Sequence, residues 1–232
     1  MSVIISLPDG SKKEYPGAVS ALDNAKDISP RLADAALAAE INGKMMDIGS
    51  MIDHDASVVI HTFKTEPGRE LYWHSTAHLM AQAVKQLYPK VQVTIGPAIE
   101  QGFYYDFDRD DPFTEEDLLK IEERMKELIK EDLPYSRREL SKAEAMEIFA
   151  KMGENYKLEI LNEIPDTDTI STYTQGDFID LCRGPHIPST GKIKAVKLLK
   201  SSGAYWRGDE KNKMLKRIYG ISFPSNKELN EY

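Results

Sequence analysis

Cysteine is almost absent from this chain: Cys182 is the only one in 232 residues. A lone thiol closes no internal disulfide, which excludes the stapled secreted domains and fits a reducing cytosol. Long apolar runs are missing as well. No stretch approaches the roughly 20 residues that span a bilayer, and residues 1–6 lack the basic-then-apolar pattern of a secretory leader. No membrane partner is therefore expected, and a cytoplasmic location is. Histidine is scarce, at five. Three of the five, together with the sole cysteine, fall in two short stretches, His74-Ser75-Thr76-Ala77-His78 and Asp180-Leu181-Cys182-Arg183-Gly184-Pro185-His186.

What remains is the composition of an ordinary globular chain, 41% hydrophobic and 29% charged, long enough for one large or two modest domains. The net charge of −8 argues against a nucleic-acid partner, but it is unevenly spread. Nine Lys/Arg between residues 192 and 217 face only Asp209 and Glu210, a local excess of seven positive charges. Such a surface can meet a phosphate backbone at a defined place. A solvated lysine-rich strand is the duller reading of the same charges.

Residues 1–62 read as a small β-rich unit. Val3, Ile5 and Leu7 alternate with shorter or polar partners, and Asp9-Gly10 signals a hairpin to a return strand over residues 12–15. Ser20 caps a short helix to Ile28, and Ser29-Pro30 opens another. Asn42-Gly43 is a second hairpin turn, and residues 57–62 form a last strand. The order strand, strand, helix, strand, strand predicts a β-grasp, ubiquitin-like fold. His54 and His61 are isolated and expected at the surface. The polar stretch at residues 64–69, broken by Pro67-Gly68, is expected to be the domain boundary.

The rest mixes helices and strands. Residues 70–88 carry Trp73, Ala77, Met80, Val84 and Leu87 as the apolar stripe of a helix. His74 and His78, four apart, project side by side next to that stripe. Strands are expected at residues 91–95, 169–173, 177–182 and 214–219. A glycine-punctuated segment at residues 101–107 places Phe103, Tyr105 and Phe107 on one face. Thr114 caps a helix to about Asp132, buried through Leu118, Ile121, Met125 and Leu128, with its remaining charges solvated. Ser141 caps a further helix to about Met152, and residues 225–232 start another.

Two pairs at four-residue spacing, His74 with His78 and Cys182 with His186, can close a tetrahedral zinc site, with Asp180 as outer support. The same side chains suit a metal-free acid/base pocket. The sequence leaves both open. Lys157 and Asp180 would pass, on chemistry alone, as a solvated charge and a turn cap.

Specific motifs carry further meaning: Trp73-His74-Ser75-Thr76-Ala77-His78-Leu79-Met80, Ile95-Gly96-Pro97, Gly102-Phe103-Tyr104-Tyr105-Asp106, Tyr156-Lys157-Leu158, the Asp180 to His186 stretch, and Gly203-Ala204-Tyr205-Trp206-Arg207-Gly208-Asp209 with the following residues 212–220. In these the chain resembles the N-terminal half of bacterial threonyl-tRNA synthetases. The resemblance implies an α+β chain: a β-grasp (TGS) domain at 1–63, a mixed α+β editing domain of the threonyl/alanyl type at 64–224, and the start of a linker helix at 225–232. It implies hydrolysis of mischarged seryl-tRNA(Thr) with threonine excluded. Its partners would be the acceptor end of tRNA(Thr) and the catalytic and anticodon-binding domains of a synthetase. Nothing here resembles the core that activates threonine with ATP, so aminoacylation is not expected. By the same resemblance His74, Lys157 and Asp180 are catalytic, and His78, Tyr105, Cys182 and His186 bind substrate, Tyr105 as a wall against the terminal adenosine. No cofactor is required for editing on this reading. The alternative keeps His74, His78, Cys182 and His186 as zinc ligands of an RNA-binding module without catalysis.

Overall fold

Val3 and Ile5 point to one side of strand β1 (Val3–Ser6) and are buried, while the Asp9-Gly10 turn returns the chain as β2 (Lys12–Tyr15). This is the period-two pattern of a half-buried strand. The computed structural model describes residues 2–232, in two compact units: Met1–Tyr72 with Gly184–Pro188, and Trp73–Arg183 with Ser189–Tyr232.

In the first unit the chain continues through β3 (Val19–Ser20), α1 (Ala21–Ile28), α2 (Pro30–Ala35), β4 (Ala38–Ile41), β5 (Lys44–Asp47), β6 (Met51–Ile52) and β7 (Ala56–His61). Ser20 and Ser29 cap the two helices by accepting from the N–H groups of Asp23 and Leu32. Asn42 and Gly43 both take positive φ, 49° and 80°, as the tight turn between β4 and β5 demands. The five-stranded sheet has order β2-β1-β7-β4-β5, with β1 and β7 parallel and the other neighbours antiparallel. That is the expected β-grasp arrangement. Val3, Ile5, Ala25, Ile48, Ile52 and Val58 pack beneath it. His61 departs from expectation: it is buried, not at the surface. Its Nδ1 pairs with Thr65 Oγ1 at 3.1 Å and its Nε2 lies 3.6 Å from the Glu40 carboxylate. It fastens the end of β7 to the turn that follows.

Helix α3 (Glu66–Leu87) begins four residues earlier than its apolar pattern suggests. Pro67 sits in the first turn, where a missing N–H removes no helical bond, so Pro-Gly starts the helix instead of breaking the chain. Trp73 Nε1–H donates to Ser222 O at 2.9 Å and Thr76 bonds Ser222 Oγ at 2.8 Å, which fixes the helix against the sheet.

The second unit continues with β8 (Gln92–Val93), β9 (Phe103–Asp108), α4 (Glu115–Glu131), β10 (Ser136–Leu140), α5 (Lys142–Met152), α6 (Asn155–Glu163), β11 (Ile170–Gln175), β12 (Phe178–Leu181), β13 (Ala195–Tyr205), β14 (Met214–Phe223) and α7 (Asn226–Glu231). Its sheets have orders β13-β14-β9-β8 and β10-β11-β12. Phe103, Tyr105 and Phe107 share the buried face of β9, as their alternation requires. Capping boxes at Thr114 and Ser141 start α4 and α5.

Two expectations fail in instructive ways, and a third holds only in part. The strand over residues 91–95 shrinks to Gln92–Val93, because the Thr94 carbonyl is diverted to the Lys157 ammonium. Glu122 of α4 is buried, accepting the Leu198 N–H at 3.1 Å and pairing with Lys126 and Lys197. The basic segment is neutralised only in part: four of its nine bases, Lys197, Arg207, Lys213 and Arg217, pair with Glu122, Glu163, Asp108 and Asp106. Charges counted along the sequence are offset by acids brought from elsewhere in the chain.

Candidate active site

Helix α3 presents His74 and His78 one turn apart, with their rings edge to face at 4.7 Å between centroids. His74 is partly exposed and His78 is buried. His74 Nδ1–H donates to the Gly96 carbonyl at 3.0 Å, since a carbonyl only accepts. That bond sets the tautomer and leaves the Nε2 lone pair facing Cys182 Sγ at 3.2 Å. Burial lowers the His74 pKa, outweighing the Gly96 hydrogen bond and the Asp180 charge, which raise it; the Lys157 charge adds to the lowering. The His78 pKa is pushed well below the usual value, by burial first and then by His74 and Lys157.

The floor of the site is built on Asp180, at the end of β12 and 1% exposed. One carboxylate oxygen takes the Lys157 ammonium at 2.5 Å. The other accepts the Tyr105 hydroxyl at 2.9 Å and stands 3.2 Å from His78 Nδ1. Lys157, 2% exposed in the first turn of α6, also donates to Thr94 O at 2.5 Å and to the Tyr105 hydroxyl at 3.3 Å. The ammonium thus has one ion pair and two hydrogen-bond acceptors. Tyr105 is fully buried, and its pKa is raised well above the usual value by burial and by Asp180. Its ring stacks on Phe107 at 5.0 Å. It meets Asp180, not an open face, so it positions the carboxylate from within.

A buried ion pair between Lys157 and Asp180 is weak support for stability, because desolvating two charges opposes their attraction. Buried ionised groups beside a cleft are candidates for a functional site. A cleft of about 730 Å³ opens beside them. Lys157, Cys182 and Ser171 line it, with Ile95, Ile160 and Leu181 as apolar wall and Arg137, Arg183 and Asp168 as charged groups. Register explains the convergence. Tyr173 pairs with Asp180 across β11 and β12, and Cys182 N–H donates to Ser171 O at 3.1 Å, so Ser171, Asp180 and Cys182 share one face. Ser171 Oγ–H donates in turn to the Cys182 carbonyl at 2.7 Å.

His186 is buried, and its N–H donates to Asp47 Oδ1 at 3.0 Å. In the second unit the ligand atoms of His74, His78 and Cys182 all lie within 4.8 Å of one another, and such a cluster can hold a metal ion. Imidazole and thiolate are the donor chemistry of zinc. Bond lengths near 2.0–2.3 Å put tetrahedral ligand atoms about 3.3–3.8 Å apart. The His74–Cys182 pair at 3.2 Å is already at that spacing, and the widest pair would close by about an ångström. The donor set therefore fits zinc.

The structure thus gathers His78, Lys157 and Tyr105 around the Asp180 carboxylate and sets His74 beside Cys182, with Lys157 and Cys182 lining the cleft. Sequence reasoning missed the backbone acceptors, the carbonyls of Thr94 and Gly96, and the cleft groups Ser171, Arg137 and Arg183. Backbone roles leave no side-chain signature. The glycine did offer a hint: a Cβ on Gly96 would strike the Tyr105 ring.

Comparison with known proteins bears on this geometry. A TGS domain model matches residues 3–62, and the model described as the threonyl and alanyl tRNA synthetase second additional domain matches residues 170–219. The latter stretch contains Asp180, Cys182 and His186. The threonine--tRNA ligase of Hahella chejuensis is 55% identical over 229 residues, covering 99% of this chain and 36% of that protein. Those of Marinobacter nauticus and Syntrophomonas wolfei are 53% and 51% identical over 229 and 230 residues, again 36% of each. The chain is homologous along its whole length to threonine--tRNA ligases. It spans 36% of the length of these relatives. The second-additional-domain match does not reach α3 or α6, so His74 and Lys157 join its residues through the fold. Among the described residues no helix is long and apolar enough to cross a membrane.

Proposed function

We propose that residues 64–224 form an editing domain that hydrolyses the ester of seryl-tRNA(Thr), with residues 1–63 as the accompanying TGS domain and 225–232 as the beginning of a linker to a synthetase core. The observation that carries this reading is His74, its Nδ1–H committed to the Gly96 carbonyl and its Nε2 held beside Cys182, which lines the cleft together with Lys157 of the buried Asp180–Lys157 pair. A site that binds threonine rejects serine poorly, because one methyl group is worth only about 1–3 kcal/mol. A second site that admits serine and excludes the larger threonine supplies the missing discrimination.

His74 Nε2 accepts a proton from water as the water oxygen attacks the ester carbonyl carbon. The bond from that carbon to the ribose oxygen breaks, and the proton passes to the ribose oxygen, helped by the neighbouring ribose hydroxyl. The products are serine and tRNA with a free terminal hydroxyl. Lys157 supplies positive potential from the cleft wall for the developing oxyanion, and Asp180 with Tyr105 holds it in place. His78, Cys182 and His186 shape the pocket for the seryl group and the terminal adenosine. In the alternative reading His74, His78, Cys182 and His186 are zinc ligands and the module is a zinc-stabilised RNA binder without catalysis.

Release of serine and threonine from the corresponding charged tRNA(Thr), with and without a chelator, tests the reading. Chelator-insensitive release of serine alone is the expected result. Release of neither by folded protein contradicts it, and loss of thermal stability with chelator would select the zinc-bound alternative.

A further inference from the structure

Arg137 and Arg183 are the two guanidinium groups of the cleft beside Cys182, and the active-site residues proposed above do not use them. They reach it from different elements. Arg137 stands on the edge strand β10, opposite Tyr173, so it shares a sheet face with Tyr173, Asp180 and Ser171. Arg183 directly follows Cys182 and is exposed. Asp168 is the one acid among the cleft's lining residues, and the Lys157 charge is already met by Asp180, so the two arginines outnumber the lining acids by one. Arg137 pairs with Glu139 at 2.6 Å, but both side chains are well exposed, at 36% and 60%, and such a pair exchanges readily for a stronger anion. Ile95, 42% exposed, and Ile160 give the same cleft an apolar side suited to a nucleobase.

We infer that Arg137 and Arg183 clamp the phosphodiester on the 5′ side of the nucleoside that carries the ester. The inference rests on the ester-hydrolase reading. An ester on the terminal ribose that reaches Cys182 and His74 leaves the 5′ oxygen of that ribose leading out of the cleft, and the first anion on that path is the phosphodiester. Guanidinium forks match its two free oxygens bidentately, which an ammonium does not. The consequence is selectivity for a polynucleotide end over a free nucleoside ester.

The test compares adenosine with the dinucleotide cytidylyl-adenosine, and the seryl ester of each, on the whole chain. Equilibrium binding should favour the dinucleotide by about tenfold for each guanidinium engaged. Arg137→Gln and Arg183→Gln should each reduce that ratio, the double variant should bring it near one, and Arg→Lys should restore only part. The wild-type ratio should also fall as salt rises. Variants that weaken both probes equally, or a wild-type ratio near one, would overturn the clamp. Dinucleotide preference that the variants abolish, with neither seryl ester hydrolysed, would keep the clamp and overturn the hydrolase reading.

Discussion

The two units bury different chemistry. The core of the first is a cluster of aliphatic side chains, among them Val3, Ile5, Ile48, Ile52 and Val58, with its charges outside. The second buries Lys157, Asp180, His78 and Glu154 among its aromatic residues. Glu154 accepts the Val93 N–H at 3.0 Å and forms an ion pair with Lys85 at 2.6 Å. Taking ionised groups from water opposes folding, and apolar residues of the same volume would often hold the fold as well or better. The chain keeps these groups in the unit that holds the candidate site and not in the other.

The largest effect that separates the units should come from Asp180→Ala. It strands the Lys157 ammonium in the interior, and removing one partner of a buried pair costs about 3–5 kcal/mol. Urea unfolding followed in the second unit should show that loss together with loss of ester hydrolysis. Ile5→Ala should cost a comparable but smaller amount, about 3 kcal/mol, by leaving a cavity in the first unit. Its rate of hydrolysis per folded molecule should match wild type; a slower rate would mean that the units do not divide the work as described.

A finer probe is Gly96→Ala. The new methyl group would push on the Tyr105 ring, which reaches Asp180 through its hydroxyl, and overpacking of this kind costs about 1–3 kcal/mol. Hydrolysis should fall further than stability, because the Gly96 carbonyl also sets the His74 tautomer. Thr114→Ala removes a helix cap far from the cleft and should cost about 1 kcal/mol of stability with no change in hydrolysis.

The smallest effect is a pH dependence. Burial of the Asp117 carboxyl is outweighed by bonds from Tyr88, Thr114 and Arg109, which lower its pKa from 3.8 to about 2. The folded pKa lies below the unfolded one, so this contribution is present above about pH 4 and lost as pH falls towards 2. Acid titration of thermal stability should show the loss in wild type and not in Asp117→Asn.

Much of this could be read from the residues. The serine and threonine caps, the Asn42-Gly43 turn and the alternation around Phe103, Tyr105 and Phe107 each carry a local rule, and each element formed as that rule requires. The site was legible as two clusters a hundred residues apart, because rare histidine and cysteine stand out. Lys157 was legible only through resemblance, since nothing local distinguishes a buried ammonium from a solvated one. The carbonyls of Thr94 and Gly96 were invisible, because tertiary contacts assign their partners. His61 and Glu122 were misplaced for the same reason: isolated polar residues look solvated until a distant partner arrives.

The most direct measurement is single-turnover hydrolysis of seryl-tRNA(Thr) by the wild-type chain and by His74→Ala, with circular dichroism recorded on both. The account predicts release of serine by wild type and its loss in a variant whose fold is intact. Equal rates in the two folded proteins would contradict it.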